Sequence, residues 1–298
     1  MAAIIESIPN ISEGRNQEII QGCVRQIQET PGCTLLNVSS DPSHNRTVIT
    51  YMGSPEGVEE ASVKLVQKAA ETIDLTRHQG EHPRMGAVDV MPFVPIKDAT
   101  EEDCIQLASR VGKRIYEEAG VPVFLYEKSA TAEHRKNLAA IRKGQFEGMA
   151  EKVKDPQWTP DFGGAQIHPT AGVVAVGARP PLIAYNINLS TDNLELASAI
   201  AKEIRESSGG LPCVKAIGIM LEERNLAQVS INMTDYTVTP LHQVTELVRE
   251  KAKKAGVEVI GTELIGLCPM KALLDAAEHY LQIEDFNPQV QVIENHLL

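Results

Sequence analysis

The sequence has little positive charge and no long hydrophobic run, and each deficit excludes a class of function. Its 28 Lys and Arg residues are outnumbered by 40 Asp and Glu residues, so the formal net charge is −12. Because nucleic-acid binding relies on Lys and Arg that neutralise phosphates, we expect no nucleic-acid partner. Apolar runs such as residues 172–178 are far shorter than the roughly 20 residues that span a membrane. The amino terminus also lacks the basic and apolar regions of a secretory signal, so we expect no membrane or secreted location.

Cysteine is scarce and forms no recognisable metal or redox motif. The five cysteines are odd in number and include no CxxC pair: Cys23, Cys33, Cys104, Cys213 and Cys268. Each lies in an apolar stretch, where a free cysteine behaves as a small hydrophobic residue. We therefore expect free thiols and a cytoplasmic location, with a catalytic thiol as the alternative.

The first half of the chain alternates predicted strands and helices in the order β-α-β-β-α-β, which is typical of ferredoxin-like folds. Strands are predicted at residues 3–8, 33–38, 46–52 and 87–94. We expect Ser12 to cap the first helix and Ser54-Pro55 to begin the second. A helix that is capped by Thr100 and extends to Gly120 and a strand at 121–126 follow, whereas residues 145–162 are predicted to be a connection.

The same order returns after Pro180-Pro181. Strands are predicted at residues 182–189, 214–221, 228–233 and 257–260, with helices after the first, third and fourth. We therefore predict an α+β protein of two ferredoxin-like βαββαβ subdomains, residues 1–178 and 179–298, joined near residues 165–181. Because helices cover one face of each sheet in such folds, we expect a ligand crevice between the two open sheet faces.

Two predicted strands of the second half carry polar side chains on one face. Asn186 and Asn188 alternate with apolar residues, and so do Ser230 and Asn232. Since side chains of a strand alternate with period two, each polar pair lies on one side of the sheet. The pattern favours either a solvent-exposed face or a ligand site lined by hydrogen-bonding groups.

Residues 77–86 hold the densest group of chemically active side chains in the sequence. His78 and His82 are four positions apart, which on a helix would suggest a metal site. Gly80 and Pro83 argue against a helix, and no further ligand cluster is evident, so we predict no metal. The segment therefore carries either a general acid or base histidine or a structural one.

Two other segments contain candidate binding residues. Asp41, Asn45 and Arg46 flank a predicted turn, where they can orient a histidine or bind a carboxylate, although Asp-Pro-Ser is also an ordinary turn. Residues 163–172 begin with two glycines, which allow a ligand to approach the backbone. This segment lacks the GxGxxG and GxxxxGK[ST] patterns of nucleotide loops, so its alternative is a bare hinge.

Together these segments resemble the formiminotransferase family. The matching segments occur in the family order and cover nearly the whole chain: residues 9–14, 45–47, 77–86 with Asp89 and Pro92-Phe93, 160–163, 183–189, 225–230 and 271–277. Several independent long motifs make the resemblance specific. It implies two α/β subdomains with folate bound in the crevice between them.

The resemblance also implies an activity and its residues. Members of the family transfer a formimino group from N-formimidoyl-glutamate to tetrahydrofolate, which gives 5-formimidoyltetrahydrofolate and glutamate in histidine degradation. The catalytic histidine falls on His82. The folate-binding loop falls on Gly163, Gly164, Ala165, Gln166, Ile167, His168, Pro169, Thr170, Ala171 and Gly172. Candidate substrate-binding residues are Asn10, Asn45, Arg46, Arg84, Asn186 and Asn188.

This chain departs from some family members at two positions. Ser39 stands where those members carry an aspartate near the catalytic histidine, so Asp41 and Glu81 become the candidates that orient His82, with Asp41 counted as catalytic. Ala171 stands where they carry a bulky aromatic residue. The chain also has no room for the cyclodeaminase that is fused to the vertebrate enzymes, which predicts a single-function form.

We expect His82 to take the proton from N5 of tetrahydrofolate as N5 attacks the amidine carbon. Tetrahydrofolate is then a cosubstrate, and we expect no protein-bound cofactor. A homodimer is also predicted. The alternative functions are formyl transfer between N-formyl-glutamate and folate and a non-catalytic folate-binding sensor.

Overall fold

The amino-terminal strands form one sheet, in which the strands Arg46–Gly53, Val88–Lys97, Val123–Leu125 and Val174–Ala178 carry most of the buried apolar side chains. In the computed structural model, which describes residues 3–296, the chain divides after Arg179 into two units, each with its own sheet and core. The elements of the first unit are β1 (Ile4–Ser7), β2 (Asn10–Ile11), α1 (Gln17–Gln28), β3 (Cys33–Asp41), β4 (Arg46–Gly53), α2 (Pro55–Thr72), β5 (Val88–Lys97), α3 (Glu101–Ala119), β6 (Val123–Leu125), α4 (Leu138–Arg142), α5 (Gln145–Lys152) and β7 (Val174–Ala178).

The first sheet has the strand arrangement that the sequence predicts, with an extension. β1 and β2 occupy one strand position, because both pair antiparallel with β4 on one side and with β5 on the other. β3 pairs with β4, which completes the ferredoxin-like part. Beyond β5, the strands β7 and β6 extend the sheet in parallel, and α3 supplies the crossover.

No strand is predicted for residues 165–181, where the two subdomains are joined, but β7 lies there between β5 and β6. All five residues of β7 are buried. A strand that is buried on both faces shows no alternation of polar and apolar residues, so its pattern does not distinguish it from other apolar runs. The predicted connection at residues 145–162 likewise contains α5, whose side chains are mostly half-buried or exposed.

Capping residues in the sequence predict the starts of α2 and α3 correctly, but the predicted cap of α1 is wrong. Ser54 accepts the Gly57 N–H at the start of α2, and Thr100 forms a reciprocal capping box with Asp103 at α3. The cap of α1 is Asn16, not Ser12. The Ser12 hydroxyl instead donates a 2.7 Å hydrogen bond to the Gly86 carbonyl, in the loop that carries His82. A serine near a helix start can serve either purpose, and only the fold decides which.

The second unit also has a ferredoxin-like order, so the predicted α+β class with two such sheets is confirmed. Its elements are β8 (Ile183–Leu189), α6 (Leu194–Ile204), β9 (Val214–Leu221), β10 (Leu226–Met233), α7 (Leu241–Lys254), β11 (Val259–Ile265), α8 (Met270–Leu281) and α9 (Pro288–Gln291). The strands lie in the order β11-β8-β10-β9, and every pair is antiparallel.

The polar and apolar faces of the second sheet separate as predicted. Tyr185 and Ile187 in β8 belong to the core with Val229 and Ile231 in β10. Asn186 lies on the opposite face, in register with Ser230. None of the helices in residues 3–296 is both long and apolar enough to cross a membrane.

Candidate active site

The loop between α2 and β5 carries His82 and rests on the turn between β3 and β4. The Glu81 N–H donates to the Ser43 carbonyl at 3.2 Å, and the His82 N–H donates to the His44 carbonyl at 3.4 Å. A Cβ at Gly80 would collide with the His44 carbonyl, so this close approach requires glycine. The turn therefore holds His82 in place through backbone contacts.

His82 is nearly buried and lies beside the carboxylate of Asp89. The distance from His82 Nε2 to Asp89 Oδ2 is 3.7 Å, and Asp89 is fully buried near the start of β5. Burial lowers the pKa of His82, and the Asp89 carboxylate opposes that shift. The imidazole is therefore neutral at pH 7. The Asp89 carboxylate lies close enough to stabilise the imidazolium that forms when the ring accepts a proton.

The Asp89 carboxylate is held ionised by three groups. Arg142, the last residue of α4, donates from Nη2 to Asp89 Oδ2 at 2.5 Å, and the Met85 N–H donates to Oδ1 at 2.8 Å. Burial raises the pKa of Asp89, but contact with His82, Arg142 and the Met85 N–H outweighs it, so the net shift is downward. A buried carboxylate needs such partners to stay charged.

Two arginines near His82 have enclosed nitrogens without hydrogen-bond partners. Arg46 Nε and Arg142 Nε are buried and unpartnered, and so is His82 Nε2. Both arginines act electrostatically on His82. Buried donors normally find a partner, so a concentration of unpartnered donors at one place suits an anionic ligand.

Asp41 does not contact His82. Its carboxylate lies 2.7 Å from His44 Nδ1 and accepts the backbone N–H groups of Ser43 and His44. The expectation that Asp41 or Glu81 orients His82 is therefore corrected: among residues 3–296, Asp89 is the carboxylate within ion-pair distance of that ring. Asp89 lies 48 positions after Asp41 in the sequence, so proximity along the chain was a poor guide.

Arg84 is committed to protein contacts. Its guanidinium forms a bidentate ion pair with Glu147 at 2.8 and 2.6 Å, and Nε donates to His78 Nδ1 at 3.1 Å. The second nitrogen of His78 faces the Asn45 carbonyl at 2.9 Å. The structure thus ties Arg84 to the wall of the site, where the sequence predicted a substrate ligand.

Asn45 connects three loops in a left-handed backbone conformation (φ 48°). Its side-chain oxygen accepts the Gly14 N–H at 2.9 Å, and its amide nitrogen donates to the Gln79 carbonyl at 3.0 Å. Asn10 lies in β2 between Val48 of β4 and Val90 of β5. Both asparagines therefore belong to the same end of the first sheet as Arg46 and Asp89.

The predicted folate loop packs directly against the His82 loop. The Val173 N–H donates to the Met85 carbonyl at 3.0 Å, and the Ala87 N–H donates to the Ala171 carbonyl at 2.9 Å. Gly164, Ala165 and Gln166 are exposed, so their backbone is open to a ligand. These contacts bring together two segments that the sequence separates by some eighty residues.

His168 organises this loop from within. Its Nδ1 accepts the backbone N–H of Ala171 at 3.0 Å, and its main chain pairs with Gly172 in both directions. Burial lowers the pKa of His168. The ring is therefore neutral, with Nδ1 as acceptor and the proton on Nε2.

Asn186 and Asn188 lie in β8 of the second unit, on the polar face of its sheet. Asn188 is almost fully buried and hydrogen-bonds to both Glu263 and Gln228. Among residues 3–296 no group of three or more His, Cys, Asp and Glu side chains is arranged to hold a metal ion.

Sequence reasoning missed the roles of Asp89 and Arg142. The available signal for Asp89 was a single carboxylate inside an apolar strand, where a charge needs a partner. Arg142 gave no comparable signal, because basic residues are common at helix ends. These two residues complete a site of one histidine, one carboxylate and two arginines on an α+β scaffold, which is characteristic of an enzyme for a small-molecule substrate.

Comparison with known proteins identifies the family. Residues 4–179 match the family model described as "Formiminotransferase domain, N-terminal subdomain", and residues 184–296 match "Formiminotransferase domain". The chain is 55% identical over its full length to the full-length glutamate formimidoyltransferase of Streptococcus pyogenes serotype M1. It is 42% identical to that of Thermoplasma acidophilum, over 96% of this chain and 94% of the relative. The chain therefore belongs to the formiminotransferase family.

A longer relative shows the same similarity over part of its length. The chain is 48% identical to the formimidoyltransferase-cyclodeaminase of Gallus gallus, over 95% of this chain and 53% of the relative. The chain thus spans about half of that protein, and both matched domains belong to the transferase part.

Proposed function

We propose that this protein transfers the formimidoyl group from N-formimidoyl-L-glutamate to tetrahydrofolate, giving 5-formimidoyltetrahydrofolate and L-glutamate in histidine degradation. The observation that carries the proposal is the 55% identity over both full lengths to a glutamate formimidoyltransferase. The site agrees with it, because it combines a neutral histidine with unpartnered arginine donors suited to an anionic substrate.

In the proposed reaction N5 of tetrahydrofolate attacks the amidine carbon of the donor, and His82 takes the N5 proton. The tetrahedral intermediate then collapses as its bond to the glutamate nitrogen breaks, and the imidazolium returns the proton to that nitrogen. The N5–C bond replaces the glutamate N–C bond, so no redox partner is needed. General acid–base catalysis of this kind typically contributes about 10²–10⁴-fold.

Asp89 is assigned to positioning His82 and stabilising its charged form. Because Nε2 faces the Asp89 carboxylate, we assign the proton exchange with substrate to Nδ1. Asp41 keeps a supporting role through the His44 turn on which the His82 loop rests.

The carboxylates of the donor are assigned to Arg46 and Arg142, since each presents a buried, unpartnered Nε near His82. Asn10 adjoins this group in the sheet. Asn45 and Arg84 shape the wall through their own hydrogen bonds. Asn186 is assigned to substrate through the polar face of the second sheet, whereas Asn188 on the same face is engaged by Glu263 and Gln228.

We assign folate binding to residues 163–172, whose exposed glycine-rich backbone packs against the His82 loop. Tetrahydrofolate serves as cosubstrate, and the proposal requires no resident cofactor. Holding two substrates together supplies the remaining acceleration, since well-oriented reactants gain large effective concentrations.

We also propose a cytoplasmic homodimer. The five free cysteines suit a reducing compartment. Exposed apolar side chains near the carboxyl-terminal helices, such as Leu281 and Val290 with 70% and 66% exposure, suit contact with a second copy. Light scattering after size-exclusion chromatography gives the mass that decides this point.

The test is an assay of purified protein with tetrahydrofolate and N-formimidoyl-glutamate that follows folate product and free glutamate. Stoichiometric release of both is the expected result. His82→Ala is expected to lower turnover by at least about 10²-fold while folate still binds by calorimetry. Undiminished turnover of that variant would exclude His82 from the mechanism. Turnover with N-formyl-glutamate but not with N-formimidoyl-glutamate would show that N-formyl-glutamate is the donor.

A further inference from the structure

Arg142 lies at the end of a helix that is too short to hold it in place by itself. α4 has five residues, Leu138–Arg142, whereas isolated helices need about 12–15 residues to be even marginally stable in water. Asn137 caps its start by accepting the Ala139 N–H at 3.0 Å, and Ile141 is fully buried. The carbonyls of the last turn need partners from outside the helix, as they do at every helix end. The position of Arg142 therefore depends on what binds this end.

Lys152, the last residue of α5, supplies these partners. Its Nζ donates to the carbonyls of Ala140 and Ile141 at 2.6 Å each and to the carbonyl of Lys143 at 3.2 Å. An ammonium has three hydrogens, so the three carbonyls use all of them. The same Nζ lies 4.0 Å from the centre of the Trp158 ring, whose face attracts a cation. The side chain of Lys152 is thus committed to the end of α4, where the helix dipole also favours positive charge.

α5 is fixed in turn to the loop that carries His82. The Phe146 N–H donates to the Arg84 carbonyl at 2.9 Å, and the Arg84 guanidinium forms its bidentate ion pair with Glu147. Met149 of α5 is fully buried in the core of the first unit. α5 therefore gives a fixed base to the lysine that reaches the end of α4.

Arg142 connects this anchoring to His82. Its Nη2 donates to Asp89 Oδ2 at 2.5 Å, and that oxygen lies 3.7 Å from His82 Nε2. Burial lowers the pKa of His82, Asp89 opposes that shift, and the charges of Arg46 and Arg142 lower the pKa further. A displaced end of α4 would therefore remove one positive charge from the surroundings of His82 and leave Asp89 with one partner fewer.

We propose that Lys152 is a positioning residue for the transfer reaction, because its ammonium holds the end of α4 where Arg142 meets Asp89. The inference rests on the proposed function, in which Arg142 also binds a carboxylate of the donor. An ammonium suits this task, since it directs three N–H groups and a positive charge from one atom toward three carbonyls. Lys152 thus acts on the chemistry through Arg142.

The titration of His82, followed by NMR, tests the proposal without turnover. Lys152→Met keeps an unbranched side chain beside Trp158 and removes the ammonium. We expect it to raise the His82 pKa by at least about half a pH unit, because the displaced charge of Arg142 no longer disfavours the imidazolium. A lysine that only supported the fold would change the midpoint of urea unfolding and leave this titration unchanged, and that result would overturn the proposal.

A double-mutant cycle shows whether Lys152 acts through Arg142. Arg142→Gln should raise the His82 pKa by itself, and Lys152→Met should add nothing in that background, since the group that Lys152 positions is already absent. Additive shifts would overturn the proposal. Lys154→Met is the matched control, because it removes an exposed lysine of the same charge that pairs with Glu151 at 2.6 Å. This control should leave the His82 pKa as in the wild type.

Steady-state kinetics gives the second readout. We expect Lys152→Met to raise KM for N-formimidoyl-glutamate at least about threefold, with KM for tetrahydrofolate close to the wild-type value, because the displaced Arg142 no longer meets the donor carboxylate. An unchanged donor KM would overturn the proposal. Should Lys152→Met fail to fold, Lys152→Gln keeps an N–H donor without the charge and is expected to give smaller changes in the same directions, whereas wild-type values would overturn the proposal. Absence of formimidoyl transfer by the wild type would contradict the proposed function, and the His82 titrations would still decide the role of Lys152.

Discussion

Asp89 Oδ2 lies 3.7 Å from His82 Nε2, and Asp89 is fully buried. The same oxygen accepts the 2.5 Å hydrogen bond from Arg142, so one carboxylate lies beside both a titratable ring and a cation. Burial keeps the histidine neutral and the carboxylate favours its protonated form, so the ring has the properties that a general base requires near pH 7.

Asp89→Asn tests this relationship through a pH profile. The carboxylate opposes the lowering of the His82 pKa, so its removal should lower that pKa further. The acid limb of kcat/KM then moves to lower pH, and the maximal rate falls at least about tenfold because the charged ring loses its partner. Glu81→Gln, which alters the exposed neighbour of His82, is the control and should leave the profile in place. An unshifted limb in Asp89→Asn would contradict the assignment.

Arg46→Gln tests the anion site. Arg46 Nε is buried without a partner, so the side chain is available to a substrate carboxylate. Loss of one charged hydrogen bond is expected to raise KM for N-formimidoyl-glutamate about tenfold or more, with a smaller effect on KM for tetrahydrofolate. Arg110→Gln removes a surface ion pair with Glu59 and serves as control, with both KM values expected to stay at wild-type levels. A variant Arg46→Gln with wild-type donor KM would exclude Arg46 as a ligand.

The stability of the protein is expected to fall between neutral and mildly acidic pH, in part through His78. Burial lowers the pKa of His78, whose Nδ1 accepts a hydrogen bond from Arg84. The folded state thus binds the proton more weakly than the unfolded chain. The stabilisation from neutral His78 is complete above the unfolded pKa of about 6.5 and is lost as pH falls from there through the folded pKa. Urea unfolding at pH 7.5, 6.5 and 5.5 measures this slope.

His78→Gln should flatten that dependence, because glutamine has no titrating group and its side-chain oxygen can accept from Arg84. The exposed His296, changed to Gln, should leave the slope as in the wild type. Equal slopes for His78→Gln and the wild type would assign the pH dependence to other groups, such as His82 and His168, whose pKa values are also lowered by burial.

A pair of glycine variants tests the junction between the two loops of the site. Gly172 and Gly164 have nearly the same left-handed backbone, with φ of 68° and 69°. A Cβ at Gly172 would collide with the Met85 carbonyl, whereas a Cβ at Gly164 meets no atom within 4 Å. In each variant the left-handed backbone is unfavourable for alanine and destabilises the protein by about 1 kcal/mol or more. Only Gly172→Ala also separates the loops. Chemical denaturation should show the larger loss of stability for Gly172→Ala. Equal losses would mean that the two loops accommodate the Cβ at position 172 without further destabilisation.

Much of the fold could be predicted from local patterns. Alternating apolar residues predicted the strands on both sides of each predicted turn. Ser54 and Thr100 predicted the starts of two helices, because a capping residue acts within one turn of the chain. β7 escaped prediction because a strand that is buried on both faces carries no alternation. The role of Ser12 could not be predicted either, since its bond to the Gly86 carbonyl joins residues 74 positions apart.

The sequence by itself determined the α+β class, the order of the elements, the loop that carries His82 and the resemblance to the formiminotransferase family, because these depend on residue types at short spacing. The tertiary structure decided which groups meet. Asp89 and Arg142 are 53 positions apart, and the contact of residues 163–172 with the His82 loop depends on β7 lying beside β5. Such pairings follow from how strands and helices pack, and no local pattern encodes them, so the partner of His82 became known only from the fold.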